Sequence, residues 1–272
     1  MVVEPFVKWV GGKRQLLSIL EERMPKKFGR YWEPFAGGSA LFFHLLPHNA
    51  ILNDKNAELM NAYKEIKNDP YNVIDYLEIY DERIRTGGKE FYYKTRNIFN
   101  QRKKQGKKDA EQAALFIFLN KHSFNGVYRE NADGDFNIAY NNSTAGSFHE
   151  ENLLLVYASL QDVELQCEDF SVMCGRAEKG DFVFLDSPYA PLNPTSFDSY
   201  IKEGFSLEDH IRVAAEFYKL TNRGVFCIVT NHNTELVRKL YKGCEIETLY
   251  VRRSVNSNAL ERTGEEVLIK NF

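Results

Sequence analysis

Two periods of apolar positions alternate along the chain. Short runs rich in β-branched and aromatic residues occur at Arg30–Glu33, Ala50–Asn53, Val163–Cys167, Phe182–Leu185, Val225–Thr230, Ile246–Val251 and Val267–Ile269, and each reads as a buried strand. Amphipathic stretches fall between the early runs, as at Lys13–Arg23, where Leu16, Leu17 and Leu20 share one helical face. Strands alternating with helices predict an α/β fold with a mostly parallel sheet of about seven strands. The polar loop Arg253–Gly264 carries no helical pattern, so the last strand is expected to return antiparallel at the sheet edge, which makes the sheet mixed.

Between Lys55 and Val163 the strand signal gives way to helical patterns for about a hundred residues. This predicts one domain formed by 1–56 and 160–272, with an inserted helical subdomain over 57–159. Towards the end of the insertion, Asn125-Gly126 and Asp133-Gly134 are turn signals flanking short extended pieces, which predicts a small β-hairpin with Arg129 at its tip. The Asn/Ser/Thr-rich stretch Asn141–Ser147 reads as a loop.

At 272 residues, 43% apolar and 27% charged, the chain has enough material for a large core, which excludes disordered and collagen-like classes. No apolar run approaches the ~18 residues of a membrane span. The start Met1-Val-Val-Glu-Pro5 lacks the basic region of a signal peptide. A cytoplasmic protein with no membrane partner is therefore expected. Cys167, Cys174, Cys227 and Cys244 lack zinc-type spacing and read as reduced, mostly buried thiols, and the six histidines form no ligand pattern. Metal-free chemistry is favoured. The net charge of −3 argues only weakly against a polyanionic partner, and its distribution argues for one: from Arg83 to Lys108 ten Lys or Arg, Lys103 and Lys104 among them, stand against the single acid Glu90. Phe91, Tyr92, Tyr93 and Phe99 interleave with those cations, a texture of nucleic-acid surfaces as well as of solvated helical faces.

Three segments carry candidate chemistry. Glu33-Pro-Phe-Ala-Gly-Gly-Ser39 lies where a strand turns into a helix, and glycines there let backbone amides approach a ligand. Asp54 ends the next strand 17 residues after Gly37, near the ~20-residue offset at which a carboxylate meets a ribose in nucleotide-binding α/β folds; a tight structural turn is the competing reading. Asp186-Ser-Pro-Tyr189 follows the strand Phe182–Leu185, at the end of a parallel sheet where active sites are built. The Asp186 carboxylate and the Ser187 carbonyl, held extended by Pro188, can each accept one hydrogen of an amino group, while an exposed Tyr189 stacks on the base that carries it.

The order Lys8-Trp-Val-Gly-Gly-Lys13, Glu33-Pro-Phe-Ala-Gly-Gly38, Asn53-Asp54, Asn125-Gly-Val-Tyr-Arg129, Asp186-Ser-Pro-Tyr189, Thr230-Asn-His232 and Arg253-Ser-Val-Asn-Ser257 resembles the Dam-type DNA adenine amino-methyltransferases over almost the whole chain. The resemblance implies a Rossmann-like methyltransferase sheet that binds S-adenosylmethionine, and a target-recognition subdomain inserted at 57–159. Cofactor contacts are implied for Trp9, Lys13, Glu33, Phe35, Gly37, Gly38, Asp54, Asp169, Phe170 and Asp186. Methylation of the N(6) amino group of a flipped adenine is implied for Asp186, Ser187, Pro188 and Tyr189. Double-stranded DNA is the implied partner of a monomeric enzyme: Lys8 and Arg129 address guanines, and Phe124, Asn125 and Val127 read or distort the centre of a GATC palindrome. The family has Pro where this chain has Ser187. A related amino-methyltransferase with another target or acceptor, or an inactive DNA binder, is the alternative that this departure leaves open.

Overall fold

The computed structural model describes residues 2–9, 11, 13, 15–192, 205–252 and 263–272. The loop expected at Arg253–Gly264 and the motif at 253–257 lie almost wholly outside them, as do Val10 and Gly12 of the first motif. Seven strands form one mixed sheet in the order β3-β2-β1-β4-β5-β7-β6. They are β1 (Tyr31–Glu33), β2 (Ala50–Asn53), β3 (Glu164–Gln166), β4 (Phe182–Leu185), β5 (Phe226–His232), β6 (Glu245–Arg252) and β7 (Thr263–Lys270). β1 runs parallel to β2 and β4, and β4 parallel to β5. β7 is antiparallel to both β5 and β6. The antiparallel return thus exists, with one correction: β7 is slotted between β5 and β6, and β6 takes the edge. Val267 and Ile269 are fully buried, which suits an inner position, whereas Tyr250 on β6 is 75% exposed.

The chain divides into two compact units. The first comprises 1–13, 37–46 and 54–167, the second 14–36, 47–53 and 168–272. Thus 1–13 and 37–46 group with the helical segment, whereas pattern reading placed them with the sheet. Chain contacts decide such grouping, and hydropathy does not encode them.

In the first unit, the helices are α2 (Ala40–Leu45), α3 (Ala57–Asn68), α4 (Pro70–Lys104), α5 (Ala110–His122) and α6 (Glu150–Leu160). Their starts are specified locally: the side chains of Asn56, Asp69 and Asp109 accept backbone N–H groups of the first turns of α3, α4 and α5. Helix α5 is buried almost all round, from Ala113 to Asn120, and packs against α3 and α4, as a helix without a polar face must. Helix α4 is kinked at Gly88. The expected hairpin is reduced to two isolated antiparallel bridges, Ser123↔Tyr140 and Glu130↔Phe136. Its turn closes over 131–135, where the Asn131 side chain accepts the N–H groups of Asp133 and Asp135. Arg129 therefore stands at the neck of this excursion and not at its tip. The Asn125-Gly126 turn forms as a 3-10 turn with both residues at positive φ.

In the second unit, α1 (Leu17–Arg23) starts later than the predicted helix, after a turn. α7 (Phe170–Arg176), α8 (Leu207–Asn222) and α9 (Glu235–Leu240) follow. Helix α8 opens with a reciprocal capping box between Ser206 and Asp209. The core joins Trp32, Ile51, Val183, Leu185, Val229 and Ile269 from strands with Phe170, Val213 and Phe217 from helices. Asp181, just ahead of β4 and 5% exposed, ties this unit together. Its carboxylate accepts the indole N–H of Trp32 (2.9 Å), the backbone N–H of Arg30 (2.9 Å) and that of Glu178 (3.0 Å). Replacing Asp181 by Ala strands these donors. The expected loss is on the order of 3 kcal/mol, read as a lower urea midpoint with an unchanged slope.

Candidate active site

The first unit gathers one set of the sequence-derived residues. Asp54, just past β2, accepts the N–H of Gly37 on Oδ2 (2.9 Å) and that of Asn56 on Oδ1 (2.8 Å). Burial raises its pKa above the ordinary value, and the two amides only partly offset this. The Gly37 N–H thus goes to Asp54, so what this glycine can offer a ligand is close approach of its backbone and not that donor. Gly37 is required for a different reason. Its φ is +48°, and a Cβ there would lie 2.6 Å from the Trp9 ring. Gly38 also abuts Trp9. The Trp9 ring stacks on Tyr128 with centroids 6.3 Å apart. Lys13 is buried, with Nζ on the Gly11 carbonyl.

Lys8 is held from both sides. Its N–H donates to Asn120 Oδ1 (2.8 Å), and Asn120 Nδ2 donates to the carbonyls of Lys8 (2.8 Å) and Gly126 (3.0 Å). A Cβ on Gly126, whose φ is +64°, would collide with the Lys8 side chain. Lys8 is thereby brought against the turn that carries Phe124, Asn125 and Val127. Phe124 is 60% exposed, and Asn125 is exposed beside it. Arg129 is exposed, with Nε on Asn137 Oδ1 (3.2 Å) and its carbonyl accepting the Asn137 N–H (3.3 Å). Arg96 of the basic helix in turn donates to the carbonyls of Asn137 and Ile138. Part of the basic run is internally compensated: Lys103 pairs with Glu130 and donates to the Gly134 carbonyl, Lys104 pairs with Asp135, and Arg102 with Asp109 and Glu111. Arg83, Arg85, Lys89 and Lys94 are exposed and form no ion pair among the described residues.

The second unit gathers the other set. In the parallel register Leu185 lies opposite Val229, so the next residues outward are Asp186 and Thr230. The Thr230 hydroxyl donates to Asp186 Oδ1 at 2.6 Å. Asn231 Oδ1 accepts the N–H of Ala190 (2.8 Å), and His232 Nδ1 donates to the Ala190 carbonyl (2.7 Å), which fixes the ring tautomer because a carbonyl only accepts. The triplet Thr230-Asn-His232 therefore rivets both ends of the segment 186–190. Tyr189 is half-buried, not exposed as expected. Its hydroxyl donates to Glu266 Oε2 (2.7 Å), and its ring meets His232 edge-on at 4.8 Å. Burial, and then the nearby Asp186 and Glu266 carboxylates, push its pKa well up, so the phenol stays neutral. Ser187 is 2% exposed, and its Oγ has no hydrogen-bond partner among the described residues.

Glu33, at the end of β1, accepts from the Tyr31 hydroxyl. Phe35 lies against Phe170, with ring centroids 5.0 Å apart. Asp169 caps α7 and uses Oδ1 for three donors, Ser171 N–H (3.0 Å), Ser171 Oγ (2.6 Å) and Arg212 (2.6 Å), leaving Oδ2 without a hydrogen bond among the described residues. Burial works to raise its pKa, and these donors outweigh it and hold the carboxyl below its ordinary range. The Arg212 guanidinium also covers the Phe170 ring at 4.6 Å. Thr230, Asn231, His232, Glu266 and Arg212 are the functional neighbours to which pattern reading gave no role. Thr230-Asn-His232 stands in the sequence only as one of the motifs that carry the resemblance, and no pattern points to Glu266 or Arg212.

Among the described residues no cluster of His, Cys, Asp or Glu could hold a metal ion, and no helix is long and apolar enough to cross a membrane. The four cysteines are free thiols; Cys174 and Cys227 are buried and Cys167 is exposed.

The model of the D12 class N6 adenine-specific DNA methyltransferases matches residues 9–256. The chain is 39% identical to the type II methyltransferase M.MjaIII of Methanocaldococcus jannaschii, across 100% of both proteins. It is 34% identical to the type II methyltransferase M1.LlaDCHI of Lactococcus lactis subsp. cremoris, across 99% of this chain and 96% of that one. With the DNA adenine methylase of Escherichia coli K12 it shares 30% identity, across 97% of this chain and 93% of that one. A clamped carboxylate beyond β4, a seven-stranded mixed sheet and a family match over nearly the full length agree: this chain belongs to the D12 class N6 adenine-specific DNA methyltransferases.

Proposed function

We propose that the protein methylates the N(6) amino group of an adenine turned out of duplex DNA, within the palindrome GATC. The observation that carries this reading is the riveted segment 186–190, in which Asp186 is fixed by Thr230 and both backbone groups of Ala190 are held by β5. S-adenosylmethionine, when bound, supplies a methyl group made electrophilic by its sulfonium. The residues of this chain fit such a cofactor: the Asp54 carboxylate keeps lone pairs beyond its two amides, Asp169 Oδ2 is open, and Phe35 and Phe170 offer aromatic surface. With these, Trp9, Lys13, Glu33, Gly37, Gly38 and Asp186 are assigned to cofactor binding.

An adenine amino lone pair is delocalised into the ring and is a weak nucleophile. The Asp186 carboxylate and the Ser187 carbonyl each accept one amino hydrogen, which favours a pyramidal nitrogen and stabilises the positive charge that develops on it. Pro188 biases Ser187 towards the extended backbone that this needs. Tyr189, its hydroxyl anchored by Glu266, offers its ring to the extruded base and helps to offset the few kcal/mol that unstacking costs. Recognition of the target is assigned to the segment 57–159 together with Lys8. Arg129 has its Nε occupied by Asn137, and its two terminal nitrogens form the fork that can take guanine O6 and N7. Phe124, Asn125 and Val127 act at the centre of the site. The cations of 83–108 bind phosphates; Lys103 and Lys104 do so by exchanging Glu130 and Asp135 for the backbone.

Two outcomes follow. Protonated Asp54 loses acceptor capacity, and its raised pKa moves that loss to a higher pH than for an ordinary aspartate. Calorimetric affinity for S-adenosylmethionine should therefore decline on the acid side, with that decline absent in Asp54→Asn; a decline that persists unchanged in Asp54→Asn contradicts the assignment. For the DNA, sequencing of methylated plasmid should place the marks in GATC. Arg129→Ala should cost about 1–3 kcal/mol at one guanine and relax discrimination there, whereas neutralising Lys89 and Lys94 should weaken binding to all duplexes alike and flatten its salt dependence. Marks outside GATC in the parent enzyme, or an unaltered preference in Arg129→Ala, would overturn the corresponding assignment.

A further inference from the structure

We propose that Thr230 is a positioning residue for methyl transfer, its hydroxyl fixing the Asp186 carboxylate in the orientation that accepts the amino hydrogen of the target base. The proposal rests on the role assigned to Asp186 above. Thr230 is fully buried in β5, directly after the equally buried Ile228 and Val229. A valine would satisfy the packing there, so a hydroxyl at this position calls for a polar partner. The partner is Asp186 Oδ1 at 2.6 Å, a short charge-assisted bond.

Asp186 lies one residue beyond the end of β4, where strand pairing no longer fixes its side chain, and a carboxylate on two rotatable bonds loses orientation readily. One short bond from the rigid neighbouring strand removes most of that freedom before the base arrives. The phenol proton of Tyr189 goes to Glu266 Oε2 at 2.7 Å, so the Thr230 hydroxyl serves the Asp186 carboxylate.

The test compares Thr230→Val, Thr230→Ser and Asp186→Ala in the full chain, measuring the single-turnover rate on a GATC duplex, the S-adenosylmethionine Kd and the melting temperature. Thr230→Val should lower the rate at saturating S-adenosylmethionine about tenfold to a hundredfold, and Thr230→Ser should return the rate to within about threefold of the parent. Thr230→Ala replaces the valine variant if the latter does not fold. A rate in Thr230→Val within about twofold of the parent, alongside an inactive Asp186→Ala, overturns the proposal alone. So does a loss of rate that Thr230→Ser leaves unrestored while its melting temperature matches the parent's, since the hydroxyl is then not what sets the rate. Parent-like turnover by Asp186→Ala removes the assigned role of Asp186 and the proposal with it.

Discussion

The parallel register between β4 and β5 is the constraint on which the rest of the site depends. Because Leu185 lies opposite Val229, the residues just beyond are Asp186 and Thr230, and three successive polar residues of β5 then meet the segment 186–190 in order. Thr230 takes the carboxylate, Asn231 the Ala190 N–H and His232 the Ala190 carbonyl. A slip of one residue would reverse the facing of every side chain on the strand and undo all three contacts together. The buried apolar core behind the strands, with Val183, Leu185, Val229 and Ile269, makes such a slip costly. Packing energy is in this way converted into the placement of a carboxylate.

The other acids are managed by different means, and the means differ with the work assigned. Asp54 is desolvated and held by two backbone amides, a setting that raises its pKa and keeps it responsive to pH. Asp169 faces a guanidinium and a helix start and is held ionised. Tyr31 and Tyr189 serve as neutral donors to Glu33 and Glu266, and burial together with adjacent carboxylates keeps both phenols protonated. Neutral donors of this kind orient a carboxylate without cancelling its charge, which suits Glu33, assigned to a cationic cofactor.

Six of the seven strands were legible in the sequence to within a residue or two, because short apolar β-branched runs such as Phe182–Leu185 have few other uses in an α/β protein, whereas β7 begins four residues ahead of its apolar run. The strand-end carboxylates were legible for the same reason. The position of β7 between β5 and β6 was not, since hydropathy gives the order of strands along the chain and not across the sheet. Asn125-Gly126 and Asp133-Gly134 signalled turns correctly, but turn chemistry does not fix how much ladder forms between them, and the excursion keeps two bridges with Arg129 at its neck. The basic run reads in the sequence as a nucleic-acid surface or a solvated helical face. Its partition into compensated Lys103 and Lys104 and uncompensated Arg83, Arg85, Lys89 and Lys94 depends on acids at 130 and 135 that lie far away in sequence. Thr230, Asn231, His232 and Glu266 acquire their roles only through strand register, which a single sequence does not display.

The site proposed to deliver a methyl group to adenine is Asp186-Ser-Pro-Tyr189, with serine where the resemblance implies proline. The most direct measurement is mass-spectrometric analysis of nucleosides from methyl-free plasmid incubated with the protein and S-adenosylmethionine bearing a deuterated methyl group. The expected product is N(6)-methyladenosine of the deoxy series carrying the whole label. Label in a cytosine, or none in the DNA while the protein binds both cofactor and duplex, would contradict it.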